Sequence, residues 1–192
     1  MAVAEHVDLA AAQQAATDAI DAARDGLIEL SRFIHANPEI ALEEFKASAA
    51  CAAFLEQHGF TITRGVADLP TAFEAAAGAG NPKIAYLSEY DALPGIGHGC
   101  GHNLIAIAGI GAGIGLAAAL PHLGGQGRVS VFGTPAEEAV GGKVIMANAG
   151  VFDGVSAAMG AHPGTIEAVC PTVEGSGNAL ACVLVRTTFH GQ

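Results

Sequence analysis

Basic residues and cysteines are scarce in this chain of 192 residues, and each shortage excludes a class of protein. There are 8 Lys and Arg against 19 Asp and Glu, which gives a formal net charge of −11 at pH 7. A nucleic-acid partner is not expected because phosphate contacts need clustered Lys and Arg, and an anionic membrane surface is disfavoured for the same reason. The 4 Cys are too few and too widely spaced for a secreted miniprotein held by disulfides, so we expect reduced thiols.

No targeting segment is evident in the sequence. Residues 1–8 contain neither a basic region nor an apolar stretch, so we expect a cytoplasmic protein. Residues 104–120 carry no charge and approach the length of a membrane span. A buried helix of an α/β protein has the same composition, and we favour that alternative because polar residues lie directly beside the segment. We therefore expect no membrane partner.

Helical and strand periodicity alternate along the chain. Apolar spacing predicts helices over residues 9–36, 42–58, 103–120 and 143–149. Strand-like runs lie at residues 60–64, 71–75, 83–87, 128–132, 155–159 and 179–188. This alternation predicts an α/β layer fold. The polar, Gly-rich residues 171–178 would suit a crossover between domains.

The first polar cluster, residues 88–103, leaves a predicted strand and enters a predicted helix. It contains Glu89, Asp91, His98, Cys100 and His102, and only a glycine separates the last two. A turn of this kind lets both side chains reach one metal, and thiolate with imidazole suits zinc and its transition-metal neighbours. The alternative is a buried free cysteine beside two loop histidines.

Two more clusters follow predicted strands. Glu137 and Glu138 come shortly after one strand, and on an extended backbone one carboxylate could ligate a metal while the other faces a substrate. The alternative is the first turn of a helix, where acids are favoured. His162 follows another strand. Because ligands bind at the carboxyl ends of strands in open α/β sheets, three such strand ends favour a site over a lone structural histidine.

Together these motifs resemble the M20 family of metallopeptidases and amidohydrolases. Residues 90–104, Tyr-Asp-Ala-Leu-Pro-Gly-Ile-Gly-His-Gly-Cys-Gly-His-Asn-Leu, are similar to the signature of the subgroup that includes aminobenzoyl-glutamate hydrolases and β-alanyl-lysine dipeptidases. Residues 33–39 with Glu44, residues 134–138 with 141–143, and residues 160–163 resemble other motifs of the family in the same order. The resemblance covers the chain from about residue 25 to its end.

This resemblance implies a fold and a set of site residues. The fold is a three-layer, zinc-peptidase-like α/β catalytic domain with a mostly parallel sheet. The implied roles are metal ligation by Cys100, His102, Glu138 and His162, general-base catalysis by Glu137, and a catalytic position near the metals for Asp91. His35 and Glu39 match a motif at a helix junction and are interpreted as structural, and His98 stays unassigned.

The implied reaction is metal-assisted hydrolysis of an amide bond in a dipeptide or N-acyl amino acid. It requires a divalent transition metal, up to two ions, with zinc as the default and manganese, cobalt or nickel as alternatives. Members of the family are considerably longer and contain a lid and dimerisation domain, so the chain resembles their N-terminal half. We expect residues 1–178 to belong to the catalytic domain, residues 179–192 to begin the lid, and the full-length protein to be a homodimer.

Two other functional classes compete with this interpretation. An inactive metal-binding fragment or assembly-only module of the same fold would need no second carboxylate beside Glu138. A dinucleotide-binding oxidoreductase would need a glycine fingerprint at a strand-to-helix turn, but the matching glycines lie inside the apolar helix. Because the lid and a distal ligand are implied beyond residue 192, we expect the chain alone to be inactive.

Overall fold

The computed structural model describes residues 7–164. Its main elements are, in chain order, α1 (Leu9–Ala36), α2 (Phe45–Gln57), β1 (Thr61–Arg64), β2 (Phe73–Ala79), β3 (Lys83–Ser88), α3 (His102–Ala119), β4 (Gly127–Gly133), α4 (Gly142–Asn148) and β5 (Ala157–Met159). Every helix and strand predicted within this range is present, with bounds that shift by a few residues. The predicted strand at 179–188, the crossover at 171–178 and the domain boundary after 178 lie outside the described residues.

The five strands form one mixed sheet in the order β1-β2-β4-β3-β5. Strand β2 is antiparallel to β1 and β4, whereas β3 is parallel to β4 and β5. The predicted α/β class is confirmed, but the described sheet is mixed rather than mostly parallel. The reason is the short connection between β1 and β2, which reverses the chain, while the parallel pair β3 and β4 is joined through a crossover helix.

Helices cover both faces of the sheet, which gives the expected three layers. Alternate residues of β4 point to opposite faces. Val129 and Val131 lie in the core formed with α1, α2 and α3. Phe132 points the other way and joins Ala85 and Met146, a residue of α4, in a second, smaller core.

Helix α3 is long and apolar enough to cross a membrane by length and composition, yet it lies in the core. With the turn that follows, residues His102–Leu123 have a mean hydropathy of 2.1, and half of the window is buried. Its glycines allow close packing: a Cβ at Gly113 would lie 2.3 Å from Cγ2 of Val131, and one at Gly109 would lie 2.7 Å from the carbonyl oxygen of Leu87. This packing fits the sequence expectation of a buried helix.

Candidate metal centre

The parallel strands β3, β4 and β5 end at one edge of the sheet, and the residues predicted for the site follow those ends. Glu89 comes directly after β3, Glu137 and Glu138 follow β4, and His162 follows β5. Helix α3 begins at the same edge with His102. The structure therefore brings together the three clusters that the sequence analysis connected.

His102 lies at the centre of this arrangement and is completely buried. Its Nδ1 is 2.9 Å from both the carbonyl oxygen and the Oδ1 of Asp91, so this nitrogen carries a hydrogen and donates it. The other ring nitrogen, Nε2, is buried and has no hydrogen-bond partner among the residues that the structure describes. A ring held in this way presents the lone pair of Nε2 to whatever occupies the site.

Three carboxylates surround that nitrogen. The distances from Nε2 of His102 are 3.3 Å to Oε2 of Glu89, 3.6 Å to Oε1 of Glu138 and 3.9 Å to Oε2 of Glu137. Carboxylate oxygens and an imidazole lone pair repel one another unless a proton or a cation lies between them. Burial lowers the pKa of His102, but Asp91 and the other carboxylates outweigh burial and raise it overall.

A second group of donors lies next to the first. Sγ of Cys100 is 3.3 Å from Nε2 of His162, whose Nδ1 contacts the carbonyl oxygen of Pro163 at 2.8 Å. The ligand atoms of Cys100, His102 and His162 lie within 4.8 Å of one another, as do those of Glu89, His102 and Glu137. Both sets share His102, so they form one continuous centre.

The donor chemistry fits divalent transition-metal ions. Burial raises the pKa of the Cys100 thiol to about 11, and Glu138, Glu137 and Glu89 contribute in the same direction. The thiol is therefore protonated at neutral pH until a cation displaces its proton. A site that combines a thiol, imidazole nitrogens and several carboxylates within ligand distance is satisfied by a cation of borderline softness.

The sequence analysis placed Glu137 and Glu138 either on an extended backbone, with their side chains on opposite sides, or in the first turn of a helix. The structure shows neither arrangement. They lie in a turn between β4 and α4, and α4 begins only at Gly142. Ala136 precedes them with φ 58°, a left-handed conformation that reverses the chain. The turn directs both carboxylates toward His102 instead of separating them.

Asp91 occupies a position behind His102. Its Oδ1 accepts from His102, and its Oδ2 accepts from the backbone N–H of Glu138 at 3.0 Å. Burial raises the pKa of Asp91, but the bonds from His102 and Glu138 outweigh burial and lower it overall. A fully buried carboxylate with both oxygens engaged in this way orients a ligand and the carboxylate turn.

The remaining residues singled out in the sequence have simpler surroundings. Glu39 accepts from the backbone N–H of Lys46 and Ala47 in the first turn of α2, which fits the structural role expected of it. The ring of His98 lies 6.2 Å from that of His35, and both its nitrogens are buried without a partner among the described residues. His98 stays without an assigned role.

Glu89 is a site residue to which sequence reasoning gave no role. Its Oε2 faces His102, and its Oε1 accepts from Nζ of Lys143 at 2.5 Å. The available signal was its position, because Glu89 is the first residue after β3 at the ligand-binding edge of the sheet. Lys143 offsets one of the three negative charges that converge on the site.

The fold and the site define an α/β protein with a candidate transition-metal centre at the carboxyl ends of parallel strands. No family model matches the chain. It is 41% identical over 163 residues to one of the subunits of p-aminobenzoyl-glutamate hydrolase from Escherichia coli, and the match covers 76% of this chain and 34% of that protein. It is 42% identical over 160 residues to Xaa-Arg dipeptidase of Mus musculus, covering 77% of this chain and 37% of the dipeptidase.

A solved structure extends the similarity to the fold. A dinuclear metal-binding peptidase of the M20 family from Bacillus subtilis matches with a TM-score of 0.62 and 28% identity, over 72% of this chain and 42% of that one. The resemblance to the M20 family that the motifs indicated is confirmed by these relatives and by the solved M20 peptidase. It spans about a third of the length of the curated relatives it matches.

Proposed function

We propose that this chain contributes the metal centre of an enzyme that hydrolyses an amide bond in a dipeptide or an N-acyl amino acid. The observation that carries the proposal is the buried Nε2 of His102, which has no hydrogen-bond partner among the described residues and faces three carboxylates. The relatives support the reaction type, since they are a hydrolase that acts on p-aminobenzoyl-glutamate and a dipeptidase.

Cys100, His102 and His162 would hold the metal together with Glu138, whose Oε1 lies 3.6 Å from Nε2 of His102, and Glu89 is positioned to join them. Up to two ions fit the two adjoining donor sets, with zinc as the default and manganese, cobalt or nickel as alternatives. When bound, such ions lower the pKa of a coordinated water and polarise the scissile carbonyl.

Glu137 is the candidate general base. Its side chain is 41% exposed, more than the 25% of Glu138, and its Oε2 is the more distant of the two from His102. A carboxylate that is open to solvent at the rim of the centre can take a proton from the attacking water and return it to the leaving amine. We assign Glu138 to the metal because it is the more enclosed and lies nearer to His102, although the Glu137 carboxylate also lies close to Glu89 and His102.

Metal binding by the chain itself is the first test. Elemental analysis of the purified protein should find a transition metal, and the Cys100→Ala/His102→Ala double variant should have lost it because the two changes remove ligands from both donor sets. An exposed change on α1, Asp25→Asn, serves as a control that should keep the metal. Equal metal content in the double variant and the wild type would refute the assignment.

Catalysis is tested in a full-length protein that contains this chain. Glu137→Gln should keep the metal while hydrolysis falls about 10²–10⁴-fold, the usual contribution of a general acid–base group. Glu138→Gln should instead loosen the metal. Near-full turnover by Glu137→Gln would contradict its role as general base. A full-length protein that binds metal without any turnover would favour the inactive or assembly-only alternative. We also propose that the full-length protein is a homodimer and that it is located in the cytoplasm.

A further inference from the structure

The turn that carries Glu137 and Glu138 depends on an unusual residue. Ala136 is fully buried and has φ 58°, a left-handed conformation that costs an alanine free energy because its Cβ approaches the backbone. Its carbonyl oxygen accepts from the backbone N–H of Gly141 and Gly142, which closes the turn. Such a conformation persists only where surrounding contacts determine it.

The contact that reaches Ala136 comes from the distant residue Glu44, which directly precedes α2. The Glu44 side chain is completely buried, and its Oε1 accepts from the backbone N–H of Ala136 at 2.8 Å. Its Oε2 accepts from the hydroxyl of Thr71 at 2.8 Å, and the carbonyl oxygen of Thr71 in turn accepts from the hydroxyl of Tyr90. A buried carboxylate engaged in this way has a fixed position.

Glu44 and Asp91 together hold alternate residues of the turn. Glu44 accepts from the N–H of residue 136, and Asp91 accepts from the N–H of residue 138. Glu137 lies between these two anchored backbone positions. The distance of its carboxylate from His102 is therefore set by contacts outside the turn as well as by the turn itself.

We propose that Glu44 is a positioning residue of the metal centre, which holds Ala136 in its left-handed conformation so that Glu138 can reach the cation beside His102 and Glu137 lies at the rim of the centre. The inference rests on the proposed function, because it gives Glu44 a role in the same centre. It adds a residue from the helix junction that otherwise has no part in the site. Nothing in the role requires the charge of Glu44, only an acceptor that faces the N–H of Ala136.

The test is a cobalt titration of the 192-residue chain, followed by absorption. Cobalt(II) reports thiolate ligation in the near ultraviolet and coordination geometry in the visible bands. Glu44→Gln keeps an acceptor for Ala136 and should bind cobalt within about threefold of wild type. Glu44→Leu removes it and should weaken binding about ten- to hundredfold, the usual loss when a group that supports a ligand is removed. Its visible bands should change while the thiolate band remains.

Two further variants separate positioning from general stability. Leu55→Ala alters a fully buried leucine of α2 and should lower thermal stability without changing cobalt affinity or spectrum. Glu44→Asp shortens the side chain by one methylene and should cause an intermediate loss of cobalt affinity. This variant tests the inference if Glu44→Leu does not fold. Unchanged affinity and spectrum in the Leu and Asp variants would overturn the inference while the proposed function stands. Failure of wild type to bind cobalt would overturn the proposed function and this inference with it.

Discussion

Replacement of Asp91 by Asn tests how the buried carboxylate organises the centre. The change preserves the size and shape of the side chain and removes one acceptor. Asp91 accepts from Nδ1–H of His102 through Oδ1 and from the N–H of Glu138 through Oδ2. Asparagine has one acceptor oxygen and one NH₂ group, so one of these two donors must then face another donor.

The expected loss of metal affinity follows from the hydrogen bond that the substitution removes. A hydrogen bond to a charged group contributes about 1.5–3 kcal/mol, and the side chain of Asp91 is fully buried, so solvent does not screen the loss. Since about 1.4 kcal/mol corresponds to a factor of ten, metal affinity should fall roughly ten- to hundredfold. Loss of a group that orients a metal-bound histidine typically costs a similar factor.

Competition with a chromophoric zinc chelator at neutral pH measures this affinity directly. Asp25→Asn is the matched control, because the Asp25 side chain is 93% exposed on α1 and loses the same charge. Asp91→Asn should weaken zinc binding and Asp25→Asn should not. Equal affinity in both variants would refute the conclusion that Asp91 organises His102 and the carboxylate turn.

Two further predictions concern stability. Burial outweighs the hydrogen bonds of Glu44 and raises the pKa of its carboxyl group above the ordinary 4.5. The folded state therefore holds the proton of Glu44 more tightly than the unfolded chain does. The protonated carboxyl group stabilises the fold below pH 4.5, and this stabilisation is lost as the pH rises through the raised pKa. Denaturant unfolding of the chelator-treated protein across this range should show that Glu44→Gln removes that part of the pH dependence, and identical profiles would contradict it. Gly113→Ala should lower the free energy of unfolding by about 1–3 kcal/mol, because the added methyl group overlaps Val131. Denaturant unfolding measures this change. An increase in stability, as alanine gives at an exposed helix position, would mean that the core adjusts to the methyl group.

Periodicity predicted the elements of this fold better than their pairing. The first helix was expected over residues 9–36, and α1 spans Leu9–Ala36, because a long apolar stripe that ends near Pro38 leaves little ambiguity. The mixed sheet was not predictable in the same way. Strand direction depends on how the chain reverses between strands, and the stretch between β1 and β2 contains Ala67 at positive φ, a conformation that an alanine does not signal.

In the site, too, the sequence predicts features that depend on neighbouring residues and misses features that depend on contacts between distant residues. Ligand-type residues stand out in the sequence because acids are absent from residues 92–136, so the predicted cluster and its edge of the sheet could be identified. The shape of the carboxylate turn could not. Ala136 is a residue type that avoids left-handed conformations, and the hydrogen bond that its N–H donates to Glu44 spans 92 positions of sequence. A local sequence pattern cannot indicate a contact between residues that are so far apart in the chain.

The carboxylates of the centre also connect the proposed metal binding with the stability of the fold. Glu89, Glu137 and Glu138 converge on one buried nitrogen, and Lys143 contacts only the first of them. Like charges held at this spacing destabilise the folded chain unless a proton or cation lies between them. A bound metal reverses the effect, because a ligand that binds only the folded state adds about 4 kcal/mol at a thousand times its dissociation constant. A gain in stability on addition of a divalent cation is therefore what the proposed metal centre predicts.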